Sequence, residues 1–308
     1  MEIITSLNHI EIDGNTGVAL GNFDGVHIGH QTLIIKLVEA CKKKGLKSVV
    51  YTFKNHPRTL TSRNGAPKKI ISFEKKIRLL GRLGVDYMVC VDFDDYQRSL
   101  SPEKFVKEIL KDQLKMSYGV VGFNYHFGYK AQGNTELLYE LKEKYDYELM
   151  IVKAIKIQDE VVSSTKIREI IKEGNIPKVN LFLGRNYSIS GKVVHGNGIG
   201  KELLGFPTAN IDISKNHILP SSGVYFTKCI VDNKIYNSIT NIGYKPTIGS
   251  ETISVEPHIL NFTGNLYNQE IKIIFYQKSR DEVKFNNTQE LIQQIHKDVE
   301  KAKKFFNI

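Results

Sequence analysis

Two histidines three residues apart, His27 and His30, close the string GNFDGVHIGH at residues 21–30. Gly21, Gly25 and Gly29 punctuate it, with Phe23 and Asp24 between them. Glycines let a backbone approach a phosphate closely, and a helix starting here would add free amides and positive dipole. Two imidazoles aimed at an α-phosphate could stabilise the charge that grows as pyrophosphate leaves. The dipole contributes ~0.3–2 kcal/mol, whereas removing one transition-state donor costs about 3–4 kcal/mol, so the histidines should dominate. An isolated HxxH would read more plainly as surface histidines on a glycine loop. The whole string at a strand-to-helix junction favours the phosphate site.

Two other stretches carry similar chemistry. In VSSTKIREII (residues 162–171), Ser163, Ser164 and Thr165 stand at a helix start, with Lys166 and Arg168 in the first turn. Hydroxyls, amides and a guanidinium together suit β- and γ-phosphates, although alone the segment reads as a serine-capped helix. In HGNGIGKELLGFPTANI (residues 195–211), Gly196, Gly198 and Gly200 form a loop able to wrap phosphates, and Lys201 adds charge. Thr208 and Asn210 follow on an alternating segment, so both side-chain oxygens project to one face. They could hold Mg²⁺ together with ATP phosphates. The spacing is neither that of a Walker loop nor that of a protein-kinase glycine loop.

The elements that must position these residues differ between the two halves. Strand-like runs at 17–23, 48–53, 85–93, 118–123 and 148–155 alternate with helical patterns. The first helix carries Leu33, Ile34, Leu37, Val38 and Cys41 on one face and stops at Gly45. Others start at Ser101-Pro102 and near Asn134. This alternation predicts βαβ units on a parallel sheet, a Rossmann-like α/β domain. From Tyr187 onward, β-rich runs at 187–194, 206–213, 223–231, 235–243, 252–262 and 270–279 follow one another without helices. Turns at Asp232-Asn233 and Thr263-Gly264-Asn265 separate some of them. The pattern predicts an antiparallel six-stranded β-barrel or sandwich, with a terminal helix over 288–306. The domain boundary is expected after Gly184, giving domains 1–184 and 185–308.

A chain of 308 residues suits two cores better than one. With 41% hydrophobic and 25% charged residues it has the balance of a globular protein. No apolar run approaches the ~20 residues that span a bilayer, and the first residues lack a secretory pattern, so the expected address is cytoplasmic and no membrane partner is expected. Cys41, Cys90 and Cys229 are far apart and odd in number, which argues against a disulfide framework or a zinc site. The net charge of +10 suits anionic ligands. No basic tract interleaved with aromatics marks a specific nucleic-acid surface.

The strings GNFDGVHIGH and SSTKIR together resemble the nucleotidylyltransferase half of the prokaryotic bifunctional riboflavin kinase/FAD synthetases. YTFKNHP (51–57) and VVGFNYHFG (120–128) resemble that half's substrate-lining stretches, with Asn55 and His126 at positions where other residues are common. GFPTAN resembles the riboflavin kinase signature, and GVYF, NIGYKPTIG, VEPHILNF and NLY follow in that family's order. Asn261, Asn268 and the paired Leu203-Leu204 depart from its pattern.

The resemblance implies a bifunctional enzyme with riboflavin, FMN and ATP as small-molecule substrates. The C-terminal domain would phosphorylate riboflavin to FMN, with Glu256 taking the proton of the ribityl hydroxyl. The N-terminal domain would adenylylate FMN to FAD, with His27 and His30 stabilising the transition state. Gly21, Phe23, Asp24, Gly25, Gly29, Ser164, Thr165 and Arg168 would bind ATP there, and His56, Pro57 and Asn124 would approach the flavin. In the kinase half, Gly196, Gly198, Gly200, Lys201 and Pro207 would hold ATP, with Thr208 and Asn210 on Mg²⁺. The competing reading is a flavin-sensing regulator with one or both halves catalytically idle.

Overall fold

The computed structural model describes residues 1–7, 10–61, 65–195, 206–247 and 250–308. By its contacts the chain divides into two compact units, Met1–Ser164 and Thr165–Ile308.

In the first unit six strands form one sheet: β1 (Glu2–Ile4), β2 (Thr16–Leu20), β3 (Lys47–Phe53), β4 (Tyr87–Val91), β5 (Met116–Gly122) and β6 (Glu148–Val152). Their order is β1-β4-β3-β2-β5-β6 and every pairing is parallel. The edge strand β1 carries no periodic signal and goes beyond the expected strands. The order runs outward in one direction from β2 and in the other from β5, so a topological switch point lies between these two neighbours. In open α/β sheets ligands bind outside the carboxyl ends of the strands at such a point.

Helix α1 (Ile28–Lys44) follows β2 directly and buries Leu33, Ile34, Leu37, Val38 and Cys41, the face that the sequence periodicity predicts. It ends at Gly45 in the left-handed conformation. A helix that the sequence reading did not mark, α2 (Phe73–Arg82), is capped by Ser72, whose Oγ accepts from the Lys75 amide. Ser101 and Asn134 cap two later helical segments, as expected.

Helix α3 (Ser164–Glu173) starts at the last residue of the first unit, and α4 (Ile176–Leu183) follows in the second. A six-stranded antiparallel barrel follows: β7 (Ser188–Val194), β8 (Asn210–Asp212), β9 (Gly223–Val231), β10 (Lys234–Thr247), β11 (Ser250–Ile259) and β12 (Glu270–Arg280). Their order is β8-β7-β12-β9-β10-β11, and the Ala209 amide donates to the Pro257 carbonyl at 3.0 Å, drawing the two edge strands together. Asp232 and Asn233, at φ 46° and 63°, make the two-residue hairpin of β9 and β10. Asn261 and Asn268 also adopt left-handed backbone, at φ 56° and 65°. Asparagine tolerates that region, so Asn268 meets the same backbone demand that glycine would.

Helix α5 (Thr288–Phe306) covers one face of the barrel, with Val299 and Ala302 packed among Val224, Phe226, Ile239 and Leu260. Asp298, 2% exposed, receives Arg280 through Nε at 3.0 and 3.1 Å and Nη2 at 2.7 Å. Helix α4 packs on β12: the Asn180 amide group donates to the Phe275 carbonyl and Asn180 Oδ1 accepts from the Tyr187 amide. By packing the chain divides at Ser164–Thr165, at the start of α3, and α4 goes with the barrel through these contacts.

Candidate active sites

The turn between β2 and α1 emerges at the switch point and is held in a costly conformation. Phe23 and Val26 have φ of 49° and 40° and are fully buried. Left-handed backbone at a non-glycine residue costs ~1–3 kcal/mol and persists only when its surroundings over-determine it. Here they do. The Asn22 carbonyl accepts from Thr52 Oγ1 at 3.2 Å and from Lys76 Nζ at 2.8 Å. The Asp24 carboxylate accepts from the Ile70 amide at 3.1 and 3.3 Å, and the Asp24 carbonyl from Ser164 Oγ at 2.7 Å. Gln31 Nε2 donates to the Val26 carbonyl at 2.8 Å.

His27 is the N-cap of α1, and its Nδ1 accepts from the His30 amide at 3.3 Å. A neutral His27 with Nδ1 as acceptor carries its proton on Nε2. The His27 and His30 rings stack with centroids 3.6 Å apart, and the Phe23 ring meets His30 edge-on at 5.2 Å. Among the described residues nothing accepts from the Ile28 and Gly29 amides, which are two of the donors a helix start leaves for an anion. The glycines act more specifically than by making room for phosphate. A Cβ on Gly29 would lie 3.1–3.2 Å from the His27 imidazole, and one on Gly25, at φ 86°, would meet Ile70 at 3.2 Å. Gly21 faces the Phe23 ring in the same way.

All strands being parallel, the other predicted residues of this unit gather at the same sheet edge. His56 and Pro57 follow the carboxyl end of β3, with His56 Nδ1 accepting from the Arg58 amide at 3.1 Å. Asn55 exchanges two bonds with the Phe93 backbone, at 2.7 and 3.0 Å, and so ties the loop after β3 to the loop after β4. Asn124 is exposed just past β5, and its carbonyl accepts from His126 Nδ1 at 3.0 Å. Ser164 stands at the first position of α3, with Thr165 and Arg168 in the same helix but counted in the second unit. Sequence reasoning missed Lys76. It is one of 43 Lys and Arg residues, and only the fold carries it to Asn22.

The second site lies on the barrel where β8 meets β11. Glu256 and His258 share one face of β11 and are half-buried. His258 Nδ1 donates to the Pro207 carbonyl at 2.9 Å, and Phe206 meets the rings of His258 and His296 edge-on at 5.4 and 4.8 Å. Together with the Ala209–Pro257 bond, this fastens the FPTAN segment alongside the strand of Glu256. Thr208 is exposed just before β8 and Asn210 begins it. Gly196, Gly198, Gly200, Lys201 and the Leu203-Leu204 pair lie outside the described residues. His258 has no local signal either, since its partner Pro207 lies 51 positions earlier in the chain.

Both halves match known families. Residues 9–166 match the FAD synthetase family model and residues 183–306 the riboflavin kinase family model. The bifunctional riboflavin kinase/FMN adenylyltransferase of Buchnera aphidicola subsp. Schizaphis graminum is 37% identical, over 100% of this chain and 100% of its own. This chain belongs to that bifunctional family. The Bacillus subtilis member is 35% identical over 99% of this chain and 97% of its own length, and the Escherichia coli K12 member 31% over 100% and 99%. A crystal structure described as a macrolide-efflux protein from Streptococcus pneumoniae has TM-score 0.88 at 29% identity, over 98% of each chain. As a bifunctional riboflavin kinase/FMN adenylyltransferase family member, the chain is a transferase of flavin-cofactor biosynthesis with a kinase and a nucleotidyltransferase domain. Among the described residues no helix is long and apolar enough to cross a membrane.

Proposed function

We propose that the barrel transfers the γ-phosphate of ATP to riboflavin and that the parallel-sheet unit joins the resulting FMN to the AMP moiety of a second ATP. The observation that carries the second step is the capped turn at the switch point. His27 caps α1 through Nδ1, which accepts from the His30 amide, and the amides of Ile28 and Gly29 are donors at that helix start. An FMN phosphate oxygen attacks the ATP α-phosphorus in line, and the bond to the departing pyrophosphate breaks. His27 and His30 stabilise the charge that builds on the α-phosphate oxygens. Gly21, Phe23, Asp24, Gly25 and Gly29 build the ATP-binding turn, Phe23 and Asp24 by shaping it. Ser164, Thr165 and Arg168 receive the pyrophosphate, so the functional domain reaches to residue 184 although α3 and α4 pack with the barrel. His56, Pro57 and Asn124 line the flavin side.

In the barrel Glu256 removes the proton from the ribityl hydroxyl as its oxygen attacks the γ-phosphorus and ADP leaves. Pro207 holds the nucleotide together with Gly196, Gly198, Gly200 and Lys201. Thr208 and Asn210 offer neutral oxygen donors, a set that fits Mg²⁺ shared with ATP phosphates better than a metal held by protein alone. When bound, the ion would neutralise phosphate charge. Incubation with riboflavin, ATP and Mg²⁺, with products resolved by chromatography, tests the reading. FMN followed by FAD is expected; tight flavin binding without turnover would contradict it.

A further inference from the structure

One cation stands on the adenylyl-transfer turn without a role in the reaction as described. Lys76 lies in the first turns of α2, and its ammonium donates to the Asn22 carbonyl at 2.8 Å. That carbonyl belongs to the peptide leading into Phe23, the first left-handed residue of the turn. The same segment grips the turn on the other side of Phe23. The Ile70 amide donates to the Asp24 carboxylate, and the Ile70 side chain fills the space beside Gly25. Residues 70–76 thus fasten the peptides on both sides of Phe23, whose ring abuts His30. A shift of the Asn22 peptide would travel through Phe23 to His30 and through Val26 to His27.

The choice of a lysine is informative. Burial holds the Lys76 ammonium below the ordinary lysine range, while the nearby Cys90 and Asp24 favour its charge and Lys69 opposes it. Lys76 is only partly buried, yet holding a cation there costs more than a neutral donor to the same carbonyl would. We propose that Lys76 is a positioning residue for adenylyl transfer, acting through the Asn22 carbonyl on the turn that delivers His27 and His30. This rests on the adenylyl-transfer reading of that turn.

The test compares Lys76→Met and Lys76→Arg with the unaltered full-length chain, measuring kcat and KM for ATP in FAD formation from supplied FMN. Misplacing a catalytic group by about 1 Å costs on the order of 100-fold. Lys76→Met should therefore lose about 100-fold in kcat with KM for ATP held within roughly threefold, and Lys76→Arg should recover to within about tenfold. A kcat for Lys76→Met within about twofold of the unaltered chain would overturn the proposal. So would a rise in KM alone. Should Lys76→Met turn over too little to analyse, Lys76→Arg decides: recovery supports the role, and a loss equal to that of Met removes it. An unaltered chain that makes no FAD would instead strike the proposed function.

Discussion

On the proposed reading His27 has two tasks, capping and catalysis, that different substitutions separate. Its Nδ1 caps α1 by accepting from the His30 amide, and its Nε2 is free of that task. Asparagine is among the best N-cap residues, whereas alanine at a cap costs about 1 kcal/mol. His27→Asn should therefore keep thermal stability while losing about 10²–10³-fold in kcat for FAD formation, and His27→Ala should lose both. Melting curves beside initial rates check this; a His27→Asn protein that remains active would leave the ring with only a capping role. His27 and His30 are legible in the sequence because their spacing and the glycines around them are local facts. Lys76 is not, since its partner Asn22 lies 54 positions earlier and only packing brings them together. The left-handed backbone at Val26 is equally hidden, because β-branched residues disfavour it and tertiary contacts impose it.

Elements of the barrel carry two further expectations. Helix α5 is clamped by Arg280 on Asp298, which also accepts from Gln294 Nε2 at 2.9 Å. Removing one partner of a buried ion pair strands the other charge and costs about 3–5 kcal/mol. Asp298→Ala should therefore lower the stability of the barrel by about that amount in denaturant titrations and make FMN formation heat-labile, with FAD formation from supplied FMN retained. His258 gives a pH dependence. Burial holds its ring below the ordinary 6.5, against the pull of the Pro207 carbonyl. The folded barrel then binds fewer protons there than the unfolded chain, so this stability is fully present above about pH 6.5 and is lost as the pH falls through the folded value. Melting at about pH 5.5 should be earlier than at about pH 7.5, and His258→Gln should flatten the difference. An unchanged slope would contradict the assignment. The face of α1 was readable because its periodicity is helical. Strand β1 was not, because three residues carry no period.

At the scale of the whole molecule, two units with separate cores carry two chemistries, and the change from alternating to all-β texture made that division visible in the sequence. The packing division at Ser164–Thr165 is not legible in the sequence, because only the fold brings Asn180 of α4 to β12. The central claim is that the turn after β2 and the strand of Glu256 serve different reactions. Riboflavin phosphorylation and FAD formation from supplied FMN, measured separately on His30→Ala and Glu256→Ala proteins, test it most directly. His30→Ala should make FMN and stop there, while Glu256→Ala should make no FMN yet convert supplied FMN to FAD. Loss of both activities from either single change in a folded protein would contradict the account.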